Sequence, residues 1–319
     1  MLALTEIAPG YWAGFISVIL VFLALDLGVF HRHAHVVSFR EALAWTGVWF
    51  AVAMFFGLWF APRLVSSWDR NDSVEFVTGY IVELSLSMDN VFVIALIFGY
   101  FQVPLRFQHR VLFWGILGAL LMRGLMIWVG TELIQKFHWM LYVFGGFLVL
   151  SGIKMMFSDE EGVHPERNPV VRAAQRLFPV STLYEDQQFT TTLNGRFALT
   201  PLALVLLMVE TTDLLFAVDS IPAIFAVTQD AFIVFTSNVF AILGLRSLYT
   251  VLAGAIGYFR YLKFGLSVVL ILIGAKMLLE WFEVKIPTTW SLIVVASVIL
   301  VSILASVLTA KKSETTPDS

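Results

Sequence analysis

Apolar residues in this chain gather into long unbroken runs, and the polar residues collect between the runs. Runs of about 18 or more residues with few charges read as membrane-spanning helices. Nine runs qualify, at roughly 11–30, 42–61, 76–101, 111–130, 139–157, 201–226, 231–257, 262–281 and 290–310. The expected fold is an all-α polytopic membrane helical bundle of about nine transmembrane helices. Tyr11, Trp59, Trp68, Trp139, Trp281 and Trp290 fall near run ends, where amphipathic rings favour the headgroup zone. The longest interruption, 158–196, begins acidic, continues as a short basic helix (NPVVRAAQRLF) and ends at Asn194-Gly195. That dipeptide favours a type I′ hairpin turn. The segment reads as a connector between two halves.

Composition agrees with the runs. The chain has 319 residues, 59% hydrophobic and 13% charged, against about 25% charged in soluble domains. A net charge of −3 gives no basic face for nucleic acid. Cysteine is absent, which removes disulfides, thiolate metal sites and cysteine nucleophiles. The first run contains Asp26 and follows no basic n-region, so it reads as a retained helix. With the N-terminus outside, the cytoplasmic segments hold twelve Arg and Lys and the outer loops four, a positive-inside bias that also places the C-terminus in the cytoplasm.

Charges inside the runs carry the functional signal. Asp26, Glu83, Asp89, Glu210, Asp213 and Asp219 lie within spans, as do Arg123, Lys154, Arg246 and Lys276. Each costs roughly 2.5–3.5 kcal/mol to insert, so such residues face the protein interior and are functional by default. Glu83 and Asp89 are six residues apart, as are Asp213 and Asp219. The following spans carry Arg123 and Arg246, and the spans after those end in SGIKMM and IGAKML, with Lys154 and Lys276. This reads as a three-helix unit repeated upside down, an inverted 3+3 plan that places transporter sites near the midplane. It divides the chain into two N-terminal spans (1–75), a first repeat (76–157), the loop (158–196), a second repeat (197–281), and a last span with its tail (282–319).

A six-residue step turns about 240° around an α-helix, so each acid pair either faces two neighbours or spans a break. Pro222, which frees the Val218 carbonyl, suggests a break beside Asp219. Glu83, Asp89, Asn90, Asp213 and Asp219 are the candidate metal ligands. Glu210, Ser220, Asn238 and Ser87 are candidates for a metal or proton path, and Arg123 and Arg246 for charge pairing. Hard oxygens suit magnesium, calcium or manganese, and buried carboxylates can also relay protons. The stretch His31, His33, His35 reads as the solvated end of the first span.

The strings VELSLSMDNVFV, ILGALLMR, ETTDLLFAVDSIPAIFAVT and SNVFAILGLRSLY resemble the TerC/Alx family of bacterial integral membrane proteins, within the LysE-like transporter superfamily. The resemblance runs from the first span to Trp281. It implies manganese(II) efflux across the inner membrane, metal supply to exported enzymes, and acidic site positions at Glu83, Asp89, Asp213 and Asp219. The expected partners are a divalent metal ion and the bilayer, with no resident cofactor and no nucleic acid. An intramembrane aspartyl protease using Asp89 and Asp219 is the enzymatic alternative, but the chain lacks its GxGD string. A membrane assembly or metal-delivery factor working through the 158–196 loop is the third reading.

Overall fold

The computed structural model describes residues 8–25, 39–157, 168–193, 195–253, 261–284 and 286–314. Among them, eight helices are long and apolar enough to cross a membrane, and a ninth apolar helix is shorter. The short one is α1, Pro9–Leu25. The rest of the first expected span, with Asp26, lies outside the described residues, as do His31, His33 and His35. α2 (Phe39–Phe55) continues through a π-turn at Phe56–Phe60 into α3 (Ala61–Leu64). Two long helices follow, α4 (Arg70–Tyr100) and α5 (Leu105–Lys136), and then the shorter α6 (Met140–Phe157). After the loop come α8 (Pro201–Phe225), α9 (Ala231–Ala253), α10 (Leu262–Glu280) and α11 (Thr288–Glu314).

Helix starts follow local chemistry. α4 begins six residues before its apolar run because Asp69 and Asp72 form a reciprocal capping box, which satisfies backbone donors that the helix start leaves open. Asp230 Oδ1 accepts from the Phe232 and Ile233 amides, at 2.8 and 3.1 Å, and so starts α9. Trp68 is not a lipid-facing belt residue. It is buried, donates from Nε1 to Ser73 Oγ at 2.9 Å, and packs against Phe56 and Phe76. Ser73 Oγ in turn donates to the Gly57 carbonyl in the π-turn, at 2.9 Å. Trp59, Trp139, Trp281 and Trp290 are exposed, as the belt requires.

The loop folds. α7 (Pro169–Leu177) is followed by an antiparallel hairpin of β1 (Thr190–Leu193) and β2 (Arg196–Leu199), with Leu193 paired to Arg196. Gly195 takes the left-handed conformation at the turn, with φ of 77°; Asn194 lies outside the described residues. Val171 and Ala174 of α7 are buried in one core cluster with Phe98, Phe107, Val205 and Met208. Tyr184 donates to the Phe101 carbonyl at 2.7 Å. From Asn168 on, the described part of the connector is therefore a cap over the ends of α4, α5 and α8. Burial pushes the Tyr184 phenol above its ordinary value.

α9 is the most buried of the spans, whereas α2–α3 and α11 mostly face outward. α4 packs on both α8 and α9, α5 packs on α8 and α9, and α6 runs along α10. The α6–α10 contact is reciprocal. A side-chain carbon on Gly152 would meet the Ser267 carbonyl and Ile271, and one on Gly274 would meet the Gly145 carbonyl and Val149. Gly152 and Gly274 are 122 positions apart, as are Gly145 and Ser267, and Val149 and Ile271. Equal offsets with crossed contacts mean that the two helices run antiparallel and exchange equivalent positions. The expected inverted repeat likewise has its third helices running in opposite directions.

Candidate functional site

α4, α5, α8 and α9 meet around one arginine. Arg123 on α5 is 2% exposed, and it forms ion pairs with Glu83 of α4, which is fully buried, and with Asp213 of α8. Nη2 and Nε of the guanidinium straddle the Asp213 carboxylate, at 3.2 and 3.4 Å. Nη1 donates to Glu83 Oε1, to Asn238 Oδ1 at 3.2 Å and to Ser220 Oγ at 3.3 Å. Asn238 Nδ2 donates to the other Glu83 oxygen at 3.2 Å, and Ser87 Oγ donates to Glu83 Oε1 at 3.3 Å. Asn90 Nδ2 reaches Asp213 Oδ1 at 3.5 Å.

Local sequence explains the convergence. Glu83, Ser87 and Asn90 are spaced by four and three residues, which puts them on one face of α4. Asp213 and Ser220 are two turns apart on α8, and both reach the same guanidinium. The planar fork of arginine is the group suited to bridging two carboxylates.

Charge in this network does not cancel. One guanidinium faces two carboxylates, so with both acids ionised the cluster carries a formal net −1. Asn90 is 3% exposed, and its Oδ1 is buried without a hydrogen-bond partner. A buried acceptor normally finds a donor, and one that does not calls for a ligand or a functional explanation.

Seven of the eleven candidate residues thus belong to one network: Glu83, Ser87, Asn90, Arg123, Asp213, Ser220 and Asn238. The other four stand apart from its described hydrogen bonds. Asp89 and Arg246 are half-buried. Asp219 is half-buried and accepts from Ser151 Oγ of α6 at 2.8 Å. Glu210 lies against α5, where a methyl group on Gly118 would overlap its carboxylate. Among the described residues, no group of three or more His, Cys, Asp or Glu side chains is placed to hold a metal. Asp213 and Asp219, six residues apart, therefore face different neighbours, Arg123 and Ser151. α8 remains helical through Pro222, so the expected break beside Asp219 does not occur. Pro222 withholds a donor from the Val218 carbonyl, but the helix runs on to Phe225. Lys276 donates to the Ala226 carbonyl at 3.1 Å, just past the end of α8, the favourable place for a cation on a helix. Ser151 is a partner the sequence reading missed; a lone serine beside Gly152 in an apolar run was its signal.

Comparison with known proteins bears on the whole chain. The model of the integral membrane protein TerC family matches residues 68–315, which include every residue of the Arg123 network. An uncharacterized membrane protein, STKORF319, of Myxococcus xanthus is 49% identical over 312 residues, covering 97% of this chain and 95% of that protein. The putative membrane-bound redox modulator Alx of Escherichia coli K12 is 44% identical over 299 residues, covering 92% and 93%. Its counterpart in Salmonella typhi is 43% identical over 300 residues, with the same coverage. No solved structure matches the chain. The protein belongs to the TerC family of integral membrane proteins.

Proposed function

We propose that this protein is a transporter, not an enzyme, which carries a divalent cation, manganese(II) in particular, out of the cytoplasm across the bacterial inner membrane. The N-terminus lies outside and the C-terminus inside, a reading supported by the twelve-to-four bias in basic residues. The observation that carries the function is the pairing of two carboxylates, Glu83 and Asp213, with the single Arg123 guanidinium. In this reading Arg123 acts as a tethered counterion. It offsets one of the two negative charges while the cation is away and yields to the cation when it arrives. Glu83 and Asp213 supply charged oxygens, and Asn90 Oδ1 and Asn238 Oδ1 supply neutral ones. An all-oxygen donor set suits a hard divalent ion. Asp219 and Glu210 serve as stations along the path, and protonation of a carboxylate couples release to the proton gradient.

The E. coli and Salmonella relatives are described as putative redox modulators. This chain has no cysteine, so a redox effect exerted through it would run through the metal it moves and not through a thiol of its own. Manganese flux into proteoliposomes tests the function. Wild type is expected to carry manganese, and Asp213→Asn to abolish the flux. Asp219→Asn and Asp89→Asn are expected to slow it. Full flux in Asp213→Asn overturns the site; no wild-type flux under any proton gradient overturns transport and favours an assembly or metal-delivery role.

A further inference from the structure

The cap reaches the buried network through one side chain. Asn168 Oδ1 accepts from the Val170 and Val171 amides, at 2.9 and 3.1 Å, and so starts α7. The other end of the same amide works on α8. Asn168 Nδ2 donates to Thr211 Oγ1 at 2.7 Å and to Met208 Sδ at 3.2 Å. Thr211 is two residues before Asp213 and adjacent to Glu210. Val171 and Ala174 pack in the same cluster as Met208 and Val209. The first turn of α7 is therefore pressed against α8 less than one helical turn from the Arg123 network. On the facing side, Glu210 fills the hollow left by Gly118 of α5.

We propose that the cap is the gate on its side of the membrane and that Asn168 is its latch. Asn168 is a positioning residue. It acts through Thr211 and Met208 to hold α7 over the approach to Asp213 between α5 and α8. The proposal rests on the carboxylate site described above. A neutral amide suits the task, because it fastens the cap without adding a charge that would compete for the cation beside Glu210. The fastening is also reversible, since a single hydrogen bond shifts an equilibrium by roughly tenfold or less. A cap held by two such bonds can open within a transport cycle and close again.

The absence of cysteine makes the test clean. A single Ser220→Cys thiol, at a position that is 2% exposed and bonded to Arg123, reports access to the network. The full-length protein is placed in vesicles with the cap facing a membrane-impermeant thiol reagent. Thr211→Val removes the acceptor at nearly constant size, and Asn168→Asp keeps the α7 cap while losing the donor. Each is expected to speed labelling by about tenfold, with faster hydrogen exchange of the α7 amides. Faster α7 exchange with unchanged labelling overturns the gate. Unchanged exchange in both variants overturns the latch. Labelling requires no transported ion, so an absence of manganese flux in the wild type would defeat the transport reading and leave this result standing.

Discussion

Replacing Arg123 with glutamine removes the counterion of two carboxylates, Glu83, which is fully buried, and Asp213, which is 12% exposed. Glu83 keeps donors from Ser87 and Asn238, and Asp213 keeps one from Asn90, but neither keeps a positive charge within the described network. Breaking a buried ion pair from one side costs about 3–5 kcal/mol. Glutamine can reproduce one of the lost bonds, so the expected loss is near the lower end, about 3 kcal/mol. A neutral version of the whole network, Glu83→Gln with Arg123→Gln and Asp213→Asn, is expected to return to within about 1 kcal/mol of wild type, because no charge is then left uncompensated. Equilibrium unfolding in mixed micelles measures both variants. Arg123→Gln lying within about 0.5 kcal/mol of wild type, or a triple variant as unstable as the single one, would refute the counterion role.

Other consequences can be checked separately. Gly274→Ala places a carbon 2.6 Å from the Gly145 carbonyl, and forcing α6 and α10 apart costs roughly 1–3 kcal/mol. Gly146→Ala meets nothing within 4 Å and is expected to be neutral or stabilising by up to about 1 kcal/mol; equal losses in the two variants would contradict the close α6–α10 contact. Asp69→Ala opens the capping box and is expected to cost about 1 kcal/mol, seen as faster amide exchange confined to the first turn of α4. Tyr184 favours its neutral form in the fold, with its pKa raised above the usual 10.0. Its contribution is present below that value and is lost as pH rises through the higher folded value. Alkaline loosening of the cap, followed by α7 exchange, should be weaker in Tyr184→Phe than in wild type.

The spans were legible because lipid imposes long apolar runs, and the ends that were missed have local causes. α4 starts early because the polar stretch DRND caps it, which hydropathy does not register. Trp68 looked like a belt residue by position, but its indole N–H has a better partner in Ser73. In the site, residue identity was legible and geometry was not. Buried acids and arginines identify themselves by their cost, yet a six-residue spacing left open which acid of each pair would face Arg123. The structure assigns Glu83 and Asp213 to it, turns Asp219 toward Ser151, and leaves Arg246 outside the described network. The loop offered a short helix within NPVVRAAQRLF and a hairpin, and among the described residues α7 and the β1–β2 pairing both form. Its docking onto α8 through Asn168 depends on tertiary packing that no local signal carries.

The central claim is that the cation takes over the carboxylates that Arg123 now holds. Infrared difference spectroscopy of the reconstituted protein, recorded on adding manganese(II), reads those carboxylates directly. Wild type is expected to show shifted carboxylate stretching bands that disappear in Glu83→Gln and Asp213→Asn and persist in Ser151→Ala. Difference spectra that are identical in wild type and in both carboxylate variants would contradict the account.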